Sequence, residues 1–218
     1  MGKKIGVLLS GCGVFDGAEI YESVITLLEL DKAGAEVTCM APNIDQHKVV
    51  NHLTNTDSNE TRNVLVESAR LARGQIFNIN TIKASELEAL IIPGGFGAAL
   101  NNSTFALAGP EGDVNSDVLS MVNDFYEAGK PIGAMCIAPA LLALAFKDKN
   151  IKLTVGNDEG VAGGITALGN VHVNCSVDEI VVDEKYKIVT TPAYMLAGSI
   201  TEAASGITKL EKKILELA

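Results

Sequence analysis

Cys136 stands between a short apolar run that reads as a buried strand, Pro131 to Met135, and an apolar run from Ile137 onward that reads as a helix. A strand that turns sharply into a helix lifts its corner side chain out at the carboxyl edge of a sheet. There it lies over the unpaired N–H groups that open the helix. Those groups and the helix dipole favour thiolate over thiol, so a cysteine in that place becomes a nucleophile at neutral pH. Gly133 and Ala134 leave room for neighbouring backbone. Taken alone, the segment supports a buried structural cysteine equally well, because free cysteines are among the most buried residues.

A nucleophilic thiol needs a proton partner and somewhere to place developing negative charge. Glu19 and Glu22 fall in the first turns of the helix expected after the first strand, one turn apart on one face. A carboxyl drawn into an apolar cleft beside a thiolate has its pKa raised and can act as general acid and base near neutrality. Composition and spacing do not choose between these two glutamates. Pro93-Gly94-Gly95 follows an apolar strand and leaves backbone N–H groups uncovered. With the N–H of Ile137 they could form an oxyanion hole; a plain turn is the simpler reading of a Gly-Gly pair.

The elements that must position these groups read as alternating strand and helix. Lys4 to Ser10 is a run suited to a strand covered on both faces. Ala18 to Ala33 carries Ile20, Val24, Leu27, Leu28 and Leu30 at helical spacing and stops at Gly34, and Glu36 to Ala41 returns to strand. Asn43 to Asn59 is polar loop with room for a short hairpin, and Asp57-x-x-Glu60 resembles a capping box before a helix from Thr61 to Arg73. Leu90-Ile91-Ile92 is a further buried strand. Gly97 to Asp113 reads as a long functional loop, and Val114 to Ala128 as a helix with Val118, Met121, Val122 and Phe125 on one stripe. Ile151 to Val155, Glu179 to Asp183 and Lys187 to Thr191 read as strands, the last two joined by a turn. Ser199-x-x-Glu202 caps a final helix to Leu217. The expected fold is α/β: a doubly wound, mostly parallel sheet with helices on both faces, as one domain over residues 1–218. In such sheets chemistry collects at the carboxyl ends of the strands, where Ser10 to Ala18, Pro93 to Gly97 and the Cys136 corner should meet.

Composition narrows the function. A net charge of −10 argues against nucleic-acid or anionic-membrane binding, which need a basic face. No apolar run approaches the roughly 20 residues of a membrane span. Cys12, Cys39, Cys136 and Cys175 are scattered without paired spacing and read as reduced thiols of a cytoplasmic protein. Three N-terminal patterns are rejected. Leu9-Ser10-Gly11-Cys12 lacks a signal h-region, Met1-Gly2 has Gly6 where a myristoylation site needs Ser or Thr, and Gly11-Cys12-Gly13 has Asp16 where a dinucleotide loop needs Gly.

Pro93-Gly94-Gly95, Gly133-Ala-Met-Cys136 and a first-helix glutamate together resemble the ThiJ/PfpI branch of the class I glutamine amidotransferase-like superfamily. Family members place the glutamate twelve residues before the glycine that ends the first helix, and Gly34 points back to Glu22. The chain is most similar to the ElbB-type, isoprenoid-biosynthesis members. Ser10-Gly-Cys-Gly-Val-Phe-Asp-Gly, Asn51-His-Leu-Thr, Glu60-Thr-Arg-Asn, Pro93-Gly-Gly-Phe-Gly-Ala-Ala, Met135-Cys-Ile-Ala-Pro-Ala and Thr190-Thr-Pro-Ala-Tyr-Met-Leu-Ala carry this likeness over essentially the whole chain. The resemblance implies a flavodoxin-like fold and a cofactor-independent glyoxalase that turns methylglyoxal or glyoxal into a 2-hydroxy acid, with no metal and no glutathione. It assigns Cys136 as nucleophile, Glu22 as proton shuttle and the Gly95 and Ile137 N–H groups as oxyanion donors. Gly94, Glu19, His172 and Tyr194 are left as possible pocket residues. Family habit and the apolar final helix suggest a homodimer.

Departures from the family pattern exclude neighbouring activities. Glutaminases of the superfamily pair the cysteine with a later His-x-Glu, but His172 is followed by Val173 and Asn174. Protease-like relatives carry His after the cysteine, where Ile137 stands here. Amide hydrolysis is therefore not expected, since the leaving nitrogen lacks a proton donor. His172, between Val171 and Val173, reads better as a strand-end residue, Tyr194 as a pocket or packing residue, and His47 and His52 as too isolated for a metal. The alternative reading is a redox-responsive regulatory or chaperone-like protein in which Cys136 is an oxidation sensor.

Overall fold

A computed structural model describes residues 2–218; Met1, part of the rejected myristoylation-like start, lies outside the described residues. In chain order the strands are β1 (Lys4–Leu8), β2 (Glu36–Ala41), β3 (Val49–Asn51), β4 (Thr56–Ser58), β5 (Ile76–Asn78), β6 (Ala89–Ile92), β7 (Ile132–Met135), β8 (Lys152–Leu153), β9 (Val171–His172), β10 (Val181–Asp183) and β11 (Ile188–Thr191). The helices are α1 (Ile20–Lys32), α2 (Val64–Leu71), α3 (Phe96–Leu100), α4 (Phe105–Ala108), α5 (Ser116–Glu127), α6 (Ala138–Ala145), α7 (Glu159–Ala167) and α8 (Ile200–Leu217).

Seven strands form one sheet in the order β10-β11-β7-β6-β1-β2-β5. All neighbours are parallel except β10 and β11, which pair antiparallel across the Asp183–Tyr186 turn. Asp183 Oδ1 accepts the Lys185 and Tyr186 N–H groups and fixes that turn. The chain winds outward from β1 to β5 on one side, then returns at β6 beside β1 and winds the other way. A crevice therefore opens at the carboxyl ends of β1 and β6, where strand order reverses. β7 is the next strand along, so its last residue reaches the same crevice.

Strand side chains alternate between two cores. Leu8, Leu90, Ile92 and Ile132 face the cluster built with α5 and α6, whereas Ile5, Val7, Ile91 and Val189 face the one built with α1 and α8. The α5 stripe of Val118, Met121, Val122 and Phe125 is buried as its spacing predicts, each side chain contributing roughly 2 kcal/mol. Gly133 lets α8 approach β7, because a Cβ there would stand 2.9 Å from Leu210 Cδ2.

Several local expectations are corrected. Gly97 to Asp113 is mostly ordered into α3, α4 and a 3-10 turn, because Ala98, Ala99 and Phe105 bury against α6 and α7. The helix expected at Thr61 starts at Val64. Its cap is Asn63, whose side chain accepts the Val66 N–H at 3.1 Å, while Glu60 instead pairs with Arg62 at 2.7 Å. The polar stretch before it holds the β3–β4 hairpin. On α1 the residues facing inward are Glu22, Ser23, Ile25, Thr26 and Leu30; Ile20, Tyr21, Val24 and Leu28 form an outward stripe, each about half exposed. The apolar face of α8, by contrast, is taken up by the core through Ala203, Ile207, Leu210 and Ile214.

Between α1 and α8 the sequence places a carboxyl that periodicity does not reveal. Glu211 is 1% exposed, and neither of its oxygens has a hydrogen-bond partner among the described residues, although the Thr26 hydroxyl stands beside it. Burial, reinforced by Glu29, pushes its pKa up to about 8. The folded protein therefore holds Glu211 neutral where the unfolded chain has already ionised it. Stability from this site is full below the ordinary carboxylate range and declines as pH rises from about 5 towards 8. Glu211→Met, similar in volume, is expected to be more stable than wild type by on the order of 3 kcal/mol at pH 8, with the difference vanishing near pH 4. Paired urea melts across that range check the sign: a difference independent of pH would refute it.

Candidate active site

Cys136 occupies the corner between β7 and α6 with a backbone φ of 59°. The left-handed region is costly for a residue with a Cβ, and such strain gathers where a side chain must be aimed. The corner is held by the Cys136 N–H, which donates to the Thr191 carbonyl of β11 at 3.1 Å. The thiol points into the crevice and is 8% exposed.

Glu22 reaches the same point from α1. Its side chain is fully buried, and its two oxygens accept backbone N–H groups, Oε2 from Gly94 at 2.8 Å and Oε1 from Tyr194 at 3.2 Å. The carboxyl lies beside the Cys136 thiol, and each group shifts the other's proton affinity. Two N–H groups, from Gly95 and Ile137, converge on the sulfur. Glycine is required at both positions of the turn after β6. A Cβ on Gly94 would lie 2.5 Å from Cys136 Cβ and 2.8 Å from Glu22 Oε2; Gly95 has φ +90° and abuts Gly17 and Glu19 backbone.

Glu19 does something else. Its side chain accepts the Glu22 N–H at 2.7 Å and caps α1, while its own N–H donates to the Gly94 carbonyl at 2.9 Å. It stands behind Glu22 as a neighbouring negative charge. His172 sits in β9 and accepts the Val155 N–H through Nε2 at 3.3 Å; it does not line the Cys136 cavity. Tyr194 does line it.

The electrostatics correct one expectation. The Cys136 thiol is not a resting thiolate: burial and the adjacent Glu22 carboxyl push its pKa well up, and the Gly95 and Ile137 N–H groups only partly offset them. Burial, then the charge of Glu19, pushes Glu22 up to about 7 against the pull of the Tyr194 and Gly94 N–H groups and the neighbouring Cys136 thiol. Two acids in contact share one set of protons, so the first proton leaves the pair near pH 7 and the second only at much higher pH. Near neutrality the pair therefore holds a thiol and a carboxylate that can exchange one proton.

Above the pair lies a cavity of about 480 Å³. Val14 of the loop after β1, Phe96 and Phe105 of α3 and α4, Val161 of α7 and Met195 after β11 form its walls. Val14 and Phe96 lie in the two loops expected at the crevice, whereas Phe105 and Val161 carried no sequence signal, since α4 and α7 reach the cavity from distant segments. Among the described residues no group of three or more His, Cys, Asp or Glu side chains is placed to hold a metal ion, and no helix is long and apolar enough to cross a membrane.

A doubly wound sheet with a cysteine corner at its switch point defines a flavodoxin-like, class I glutamine amidotransferase-like α/β protein. The chain belongs to the DJ-1/PfpI family, whose profile matches residues 11–195. It is 43% identical to human glutamine amidotransferase-like class 1 domain-containing protein 3, mitochondrial, over 98% of this chain and 83% of that protein. It is likewise 43% identical to the rat ES1 protein homolog, mitochondrial, over 98% of this chain and 84% of that protein. Among solved structures it resembles an isoprenoid biosynthesis protein with amidotransferase-like domain from Ehrlichia chaffeensis. That likeness has 37% identity and a TM-score of 0.91 over 99% of this chain and all of that one. The cytoplasmic location expected from the scattered thiols is contradicted by these relatives, since the human and rat proteins are both named mitochondrial.

Proposed function

We propose that this protein is a glutathione-independent glyoxalase that converts small 2-oxoaldehydes such as methylglyoxal to 2-hydroxy acids. The observation that carries the reading is the buried Cys136–Glu22 pair, with two backbone N–H groups converging on the sulfur beneath a cavity open to a small carbonyl compound. Glu22 carboxylate takes the thiol proton as sulfur adds to the aldehyde carbon, and the Gly95 and Ile137 N–H groups stabilise the new oxyanion. Protonation of that oxygen gives a hemithioacetal. Glu22 then removes the proton from the former aldehyde carbon, and a proton returns to the neighbouring ketone carbon. The first carbon is thereby oxidised to a thioester and the second reduced to an alcohol, with no outside oxidant. Water cleaves the thioester, releasing the hydroxy acid and the thiol.

The oxidation-sensor alternative would use the same Cys136 thiol, and the cavity above the pair favours carbonyl addition over it. Purified protein given methylglyoxal without glutathione or added metal is expected to form lactate, followed by proton NMR. Absence of lactate above the uncatalysed rate would reject the reading.

A further inference from the structure

The cavity is far larger and far more apolar than methylglyoxal requires. Five heavy atoms, at about 30 Å³ each as in liquid water, would fill roughly a third of the space above Cys136. The volume falls in the range that ordinarily holds a much larger ligand. Its walls are hydrocarbon and aromatic, and Phe96, directly after the glycine whose N–H meets the sulfur, leaves about half of its surface in solvent. An exposed phenyl ring beside a nucleophile presents apolar surface that a ligand can cover.

Charge around the cavity is equally one-sided. Of the residues that line it, Asp158 alone is ionisable apart from Cys136 and Tyr194. Its carboxylate is fixed at the start of α7, where it accepts the Val161 N–H at 2.8 Å. No Lys, Arg or His lines the space, so a phosphate or carboxylate on the substrate would find no cation and would face Asp158.

We infer that the Cys136 cavity selects uncharged carbonyl compounds bearing an apolar tail of several carbons, with the aldehyde at the sulfur and the tail between Phe96, Phe105 and Val161. The inference deepens the glyoxalase reading and, for turnover, rests on it. Binding energy from a remote tail lowers the barrier at the reacting carbon without touching the chemistry. Each methylene that enters the walls is expected to raise kcat/KM about fourfold until the space is filled.

Two arms separate this inference from the reading beneath it. In the first, turnover is measured for methylglyoxal, 2-oxohexanal, 2-oxooctanal and an ω-carboxylated 2-oxoaldehyde of the same length. A rise of at least about 30-fold from methylglyoxal to 2-oxohexanal, with the carboxylated compound falling below its neutral counterpart, supports the inference. In the second, Cys136 is alkylated with iodoacetamide, N-hexyl iodoacetamide or iodoacetate, each rate normalised to that with free glutathione and read by mass spectrometry. The hexyl reagent should be favoured by at least about tenfold and iodoacetate disfavoured. Val161→Glu should shrink the preference for the hexyl tail and deepen the discrimination against iodoacetate. If the aldehydes are not turned over but the alkylation order holds, the glyoxalase reading fails and the cavity preference stands. If turnover is present but indifferent to tail length, or iodoacetate reacts fastest, the preference is overturned and the glyoxalase reading survives.

Discussion

Cys136→Ala is expected to abolish glyoxalase turnover, lowering kcat/KM by about 10³-fold or more, while leaving the folded state intact. The argument is that the proposed chemistry has no route without a sulfur adduct, and no other thiol can supply one. Cys39 lies buried in β2 with its pKa pushed up to about 11, and Cys12 and Cys175 are raised by burial outside the cavity. The fold should tolerate the change because Cys136 contributes one small side chain to the core, and the N–H bond to Thr191 that holds the corner does not involve the sulfur. Its φ of 59° adds a second, independent check. A left-handed residue with a Cβ carries on the order of 1 kcal/mol of strain that glycine lacks. Cys136→Gly should therefore be inactive yet melt no lower than Cys136→Ala, as expected where strain serves the position of a reactive group. Lactate formation and thermal melting of the two variants give the answer. Residual turnover within tenfold of wild type in Cys136→Ala would remove the covalent mechanism.

How much of this was legible in the sequence depends on whether the cause was local. β1, β6 and β7 read directly, because strands covered on both faces are unbroken apolar runs with a turn residue after them. Ser199 and the α8 stripe read directly too, because a cap and a 3.6-residue period are both local. The α1 stripe misled. Its most regular apolar positions face outward, and the face that meets the sheet and α8 carries Glu22, Thr26 and Ser23, polar residues held there by the site and by packing. α3 and α4 were missed because Phe105 and the alanines around it gain their burial only from α6 and α7, far along the chain. Within the candidate site, Cys136 and the Gly94-Gly95 turn were visible as candidates, but read alone they fitted a buried thiol and a plain turn as well, and the resemblance chose between the readings. The choice of Glu22 over Glu19 came from resemblance, and geometry gives the physical reason. A cap residue at the start of a helix turns its side chain back onto the helix N–H groups, while a residue three positions later points away along the face that meets the sheet. The resting charge of Cys136 could not be read at all, because the helix N–H groups are visible in sequence and burial is not.

Glu22→Gln is expected to lower kcat by on the order of 10²-fold, and its pH dependence distinguishes a proton shuttle from a packing residue. In wild type the thiol can lose its proton only when Glu22 is ionised. Below about 7 the carboxyl is protonated, so kcat/KM should fall tenfold per pH unit on the acid side and level off above it. The amide neither accepts nor returns a proton at any accessible pH. In that variant the limb near 7 should disappear, and the remaining activity should climb only at high pH, as the raised thiol itself begins to ionise. One oxygen of the amide can still accept the Gly94 or the Tyr194 N–H, but its NH₂ group must face the other donor. A modest loss of stability is therefore expected alongside the larger loss of rate. Glu19→Gln supplies the contrast. It removes a negative charge behind Glu22 while keeping an oxygen to cap α1, so the acid limb should move below 7 and the plateau rate should persist. Should Glu22→Gln keep the wild-type limb and rate, the carboxyl is only a buried acceptor for two backbone N–H groups, and the proton must travel by another group.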